Sequence, residues 1–141
     1  MRILALDVGE RRIGVALSNA LNITAQGLET IKMDKKKDAL LRIRDLAKDH
    51  GASKIIIGLP FNMDGTKGAA AGMVEEFVVM LKKETPVPIE MIDERLTTLQ
   101  GERVLLEADL SRKKRKAVID KIAAQLILQN YLDLHVQKNR P

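Results

Sequence analysis

Along the first 31 residues, apolar positions follow the two-residue period of strands. Arg2 to Val8 is a short apolar run closed by Gly9-Glu10-Arg11, and from Arg12 to Ser18 the residues Ile13, Val15 and Leu17 alternate with smaller ones. The short glycine-containing link makes this pair a hairpin. A third strand, weaker in pattern, spans about Gln26 to Lys32. The period then changes: Leu40, Leu41, Ile43, Arg44 and Ala47 recur at helical spacing, and Gly51 stops that helix. Lys54 to Gly58 is a continuous β-branched run, as in a strand buried on both faces. A loop over Pro60 to Gly68 contains the turn pair Asp64-Gly65. Ala69 to Lys83 forms a second helix with Met73, Phe77, Met80 and Leu81 on one side, and Pro86 and Pro88 precede a strand over Ile89 to Ile92. Thr97 or Thr98 can cap a helix carrying Val104, Leu105 and Leu106, and a last helix runs from about Val118 to Val136.

The order β-β-β-α-β-α-β-α-α predicts an α/β fold. Its mixed five-stranded sheet has three antiparallel N-terminal strands, then two parallel strands, with helices on both faces. The 141 residues, 45% of them apolar, are expected to form a single domain over 1–141. There is no cysteine, so disulfides and thiolate metal sites are excluded. Asp7 interrupts the N-terminal apolar stretch where a signal peptide would continue, and no segment approaches the roughly 20 apolar residues that cross a bilayer. The expectation is a cytoplasmic protein with no membrane partner, a monomer or weak homodimer. The net charge of +5 is compatible with a polyanionic partner, and Arg112 to Lys116 is an unbroken run of five basic residues. Such a run is also what a solvated loop carries. The aromatics are only Phe61, Phe77 and Tyr131, so contact with nucleic acid would rest on phosphates and shape, not on base stacking.

Three acidic positions are candidates for chemistry, each with a plainer alternative. Asp7 ends the first strand on the side of Ile3 and Ala5, where an Asp can also start a turn. Asp93 and Glu94 end another strand and point to opposite faces, and parity alone leaves open which one faces Asp7. Acids there also suit the start of a following helix. Asp120 lies within the core-type stretch Val118-Ile119-Asp120-Lys121-Ile122-Ala123-Ala124. It is either a buried ligand or the N-cap of a helix starting at Lys121. Together, acids from two strand ends and one helix can form a site for Mg²⁺ or Mn²⁺, bound as a pair, which suits phosphodiester hydrolysis. His50 and His135 stand at helix ends, which gives a histidine-based mechanism little support. The run Arg112, Lys113, Lys114 and Arg115 precedes the Asp120 helix and is a candidate nucleic-acid contact.

The segments Leu6-Asp7-Val8-Gly9-Glu10-Arg11-Arg12-Ile13-Gly14-Val15-Ala16, Gly58-Leu59-Pro60-Phe61-Asn62-Met63-Asp64-Gly65-Thr66, Asp93-Glu94-Arg95-Leu96-Thr97-Thr98 and Asp120-Lys121-Ile122-Ala123-Ala124 occur in this order. They resemble the YqgF family, also called RuvX, of pre-16S rRNA nucleases. The resemblance implies an RNase H-like fold, divalent-metal nuclease activity and a role at the 5′ end of 16S ribosomal RNA. By motif, it implies that Asp7, Glu94 with Asp93 beside it, and Asp120 hold metal. It also makes Arg12 and Arg95 phosphate contacts, and Asn62, Asp64 and Thr66 a substrate-facing loop. Asn19 stands where many relatives have Asp and is left outside the site. Three rival readings are a Holliday junction resolvase acting on branched DNA, a non-catalytic RNA-binding ribosome-assembly factor, and a nucleotide-binding hairpin like that of the sugar kinase and Hsp70 ATPases. The last needs two domains, which this length does not supply.

Overall fold

The computed structural model describes residues 2–60, 64–93 and 112–136, with side chains from 122 to 134 in the last segment. Strands β1 (Arg2–Val8), β2 (Arg12–Ser18) and β3 (Ala25–Lys32) form an antiparallel meander. Helix α1 (Lys36–Asp49) leads into β4 (Ala52–Leu59), and helix α2 (Ala69–Glu84) leads into β5 (Ile89–Asp93). β4 lies parallel to β1, and β5 parallel to β4, giving the sheet order β3-β2-β1-β4-β5. The mixed sheet is the one expected from the pattern of the chain. The helix expected around Val104 to Leu106, with its Thr97 or Thr98 cap, lies outside the described residues.

Alternation divides the core into two halves. Leu4, Leu6, Val8, Ile55 and Ile57 face α1 and α2, which bury Leu40, Ile43, Leu46, Val74, Phe77 and Leu81 against them. Ile3, Ala5, Ala16 and Ile56 face the last helix, α3 (Arg112–Tyr131), through Ala124, Ile127, Leu128 and Tyr131. Ile55, Ile56 and Ile57 are all fully buried, which accounts for the unbroken β-branched run: a strand covered on both faces has no polar side.

α3 begins at Arg112, six residues before the expected start, and gives way to a π-helical turn at Leu132–Val136. Arg and Lys are good helix formers, and no Gly or Pro interrupts 112–131, so the basic run continues the helix instead of preceding it. Polar ties fix α3 on the sheet. Gln129 accepts the Ala25 N–H (3.0 Å) and donates to the Ile23 carbonyl (3.0 Å), while Gln125 donates to the Ala25 carbonyl (3.1 Å). These bonds occupy the outward N–H and C=O of Ala25 on the sheet's edge strand. Nearer the sheet's middle, Lys54 Nζ donates to the Tyr131 hydroxyl (2.7 Å) and to Glu90 (2.9 Å).

Two outcomes follow for stability. Gly51 holds φ +64° just beyond α1, whereas Gly72 sits inside α2 with open space where a Cβ would be. Gly51→Ala is expected to lower, and Gly72→Ala to raise, the unfolding free energy by about 1 kcal/mol each in urea titrations. The bonds to Tyr131 and then to Glu90 raise the Lys54 pKa above the ordinary 10.5. A raised lysine stabilises the fold fully below 10.5 and ceases to do so as pH rises through the raised value. Lys54→Met should therefore cost about 0.5–1 kcal/mol at neutral pH, allowing for solvent screening of a partly exposed side chain. The gap from the native chain should close in strongly alkaline buffer.

Candidate functional site

Asp7 stands where β1 leaves the core. Ile3 to Leu6 are buried, while Asp7 is half-buried on the α3 side of the sheet, the side of Ile3 and Ala5. Its cross-strand partner in β2 is Gly14. On β4, Gly58 follows Ile57, the partner of Leu6, and shares its face with Ile56. Glycines on both adjacent strands thus flank the carboxylate, so β2 and β4 place no side chain at the register positions beside it. This clearing depends on strand register, so the sequence signals it only once the pairing of β1 with β2 and β4 is known.

The register also separates the Asp93–Glu94 pair. Ile92 pairs with Gly58 and packs on the α3 side, whereas Asp93 pairs with Leu59, whose side chain joins the α1 and α2 core. Asp93 is exposed at the end of β5 on the face away from Asp7, so the structure does not bring these two acids together. Glu94 and Arg95 lie outside the described residues.

Asp120 is eight residues into α3, which removes the N-cap alternative. It stands one turn before Ala124 in the same helix. Its side chain is outside the described set, as are those of Arg112, Lys113, Lys114 and Arg115, which form the start of the helix.

The β1–β2 turn is closed by a hydrogen bond from Gly9 N–H to the Arg12 carbonyl (2.8 Å). A Cβ on Gly9 would come within 2.9 Å of that carbonyl oxygen, so the tight turn requires glycine. Gly9, Glu10, Arg11 and Arg12 line an open hollow of about 280 Å³ at this tip. In the next loop, Asp64 Oδ1 accepts from the Thr66 N–H (2.9 Å) and hydroxyl (2.6 Å), an Asx turn of the kind the plain turn reading expects. Asn62 is outside the described residues. Asn19 lies at the far end of β2 and uses its Oδ1 to bind the Ile23 N–H (2.9 Å), a turn-closing role consistent with its place outside the site.

The donor chemistry of this end of the sheet is that of a hard cation. Asp7 offers carboxylate oxygen, the chain has no cysteine, and His50 caps α1 at the opposite end. Among the described residues no three acids or histidines form a group that could hold a cation.

The comparisons with known proteins agree with this architecture. A "putative pre-16S rRNA nuclease" of Natranaerobius thermophilus is 50% identical over 139 residues, covering 99% of each chain. Among solved structures, the fold matches the Fowlpox virus resolvase in complex with Holliday junction DNA at a TM-score of 0.57 and 11% identity, over 97% of this chain and 100% of that one. It also matches Thermus thermophilus RuvC in complex with a Holliday junction substrate at a TM-score of 0.54 and 14% identity, over 96% and 97% of the two chains. At such identities the likeness concerns the fold, which is that of RuvC-type, RNase H-like proteins. The family model described as RuvX, Holliday junction resolvase, matches residues 1–134, and the chain belongs to that family.

Proposed function

We propose that the chain is a divalent-metal-dependent nuclease whose substrate is the 5′ end of precursor 16S ribosomal RNA, acting as a single domain in the cytoplasm. One observation carries the reading: a half-buried carboxylate ends the central strand, flanked by glycines on both neighbouring strands. The glycines leave the β2 and β4 positions beside that carboxylate without side chains, which suits the approach of a cation and a phosphodiester. The 50% identity to a relative carrying the pre-16S rRNA nuclease name, over 99% of both chains, supports the choice of RNA.

In this reading Asp7, Glu94 and Asp120 hold Mg²⁺ or Mn²⁺. The alternation of β5, which puts Glu90 and Ile92 on Asp7's side and Asp93 off it, supports Glu94 over Asp93. Bound there, the cation or cation pair would supply a water of lowered pKa and neutralise charge on the leaving oxygen. The protein's own part is positioning. Asp7 is held by a strand buried on both faces, Asp120 is carried by a helix tied to β3 and β4, and Arg12 and Arg95 contact flanking phosphates. The second reading, a resolvase acting on branched DNA, is favoured by the family's description and by the shared fold. It requires two active sites, for which a homodimer is the usual source.

Cleavage of precursor ribosomal RNA, single-stranded RNA and a four-way DNA junction, each with Mg²⁺ or Mn²⁺, decides between them. Asp7→Asn is expected to reduce the rate at least about 100-fold while the folded circular dichroism spectrum is retained. Full activity of that variant would refute the assignment of Asp7. Preference for the junction would select the resolvase reading, and RNA binding without cleavage would select a non-catalytic assembly factor.

A further inference from the structure

A second cationic surface lies at Asp7's end of the sheet, separate from the basic start of α3. Arg12 at the start of β2 and Lys32 at the end of β3 are direct cross-strand partners. The chain then passes into the link before α1, where the Met33 N–H donates to the Arg11 carbonyl (2.8 Å) and ties that link to the hairpin turn. Lys35 and Lys36 follow at the start of α1. Arg11, Lys32, Lys35 and Lys36 are all exposed, and among the described residues none of the four makes an ion pair. Lys37, by contrast, is paired with Glu84.

The arrangement carries a cost in the isolated chain. Like charges directly opposite one another on adjacent strands repel. Cations at the first turn of a helix oppose its dipole, and no side chain caps the α1 N-terminus. Three acids are interspersed, Glu10, Asp34 and Asp38, but the two segments 10–12 and 32–38 carry six cations against them. With strands about 4.8 Å apart, Lys32 lies roughly 10 Å across the sheet from β1. Phosphates follow one another along one strand of a duplex at about 3.4 Å of axial rise, so a surface of this width spans about three of them.

We infer that Arg11, Lys32, Lys35 and Lys36 form a phosphate-binding track for the nucleic-acid backbone on the β2–β3 side of the active site. The track holds the substrate beyond the bond that is cut. This assignment rests on the nuclease reading for its partner, but it concerns binding alone. The scarcity of aromatic side chains fits a contact made through phosphates, not bases.

The test is equilibrium binding of a short RNA hairpin, measured across a salt series in EDTA, with every protein also carrying Asp7→Asn so that turnover cannot contribute. One variant has Arg11, Lys32, Lys35 and Lys36 changed to Gln. A control removes the same charge from the opposite end of the sheet, with Arg44, Lys48, Lys82 and Lys83 changed to Gln. The track variant is expected to bind about tenfold or more weakly, and its log–log salt slope to fall by roughly 0.7–0.9 for each phosphate that is no longer neutralised. The control is expected to keep the parent's slope. Unchanged affinity and slope in the track variant would overturn the inference, as would an equal weakening in the control, which would mean that net charge alone sets binding. Absence of RNA binding by the parent at low salt would also overturn it. The nuclease reading is decided separately by cleavage, so either can fail without the other.

Discussion

The fold depends on burying β1 from both sides. Leu4 and Leu6 press against α1 and α2, Ile3 and Ala5 face α3, and all four are buried. A strand in that position can bear no polar side chain along its length, and its backbone groups must be paired on both edges. β2 supplies one edge in antiparallel register and β4 the other in parallel register. A carboxylate becomes tolerable only where the strand emerges, at Asp7. The constraint that forms the core thus also fixes the place of the acid, because the residues before it cannot move without displacing both helical layers.

Much of this was legible in the sequence because each element has its own hydrophobic period. The two-residue alternation of β1 and β2, the unbroken isoleucines of β4 and the helical spacing around Leu40 and Phe77 gave element types and bounds within a few residues of those observed. Two features were not legible, for different reasons. The start of α3 was hidden because Arg112 to Lys116 has no apolar positions to show a period; helix propensity, not amphipathicity, carries it there. The parity of Asp93 and Glu94 was hidden because it depends on register. Asp93 is assigned to a face only through its pairing with Leu59 and, two strands away, through the face on which Asp7 lies. The Gly14 and Gly58 clearing belongs to the same class, since neither glycine is informative until β1 is placed between them.

The docking of α3 rests on more than its apolar stripe. Ala123 and Ala124 are small and permit close approach to the sheet, but small side chains alone specify register weakly. Gln125 and Gln129 specify it through three hydrogen bonds to Ile23 and Ala25, and Tyr131 adds a fourth point at Lys54. A glutamine displaced by one residue along the helix would turn by about 100° and lose these partners. The polar ties therefore select one rotation of α3 on the sheet.

Both helix starts that carry basic clusters run against the helix dipole. α1 opens with Lys36 and Lys37 after an N-cap that makes no side-chain bond, and α3 opens on Arg112 to Lys116 with no acid in its first turn. Acids at these positions would stabilise each helix by about 0.3–1 kcal/mol per charge. α1 compensates only in part, through Asp38 in its first turn and the Lys37–Glu84 pair. Stability of the free chain alone does not account for this pattern at two separate helices. A polyanion would reverse the sign of the effect, since phosphates near a helix N-terminus are favoured by the same dipole that the lysines oppose. The arrangement is then coherent as a surface whose repulsion is relieved on binding, with the energetic cost taken by the free chain and recovered in the complex.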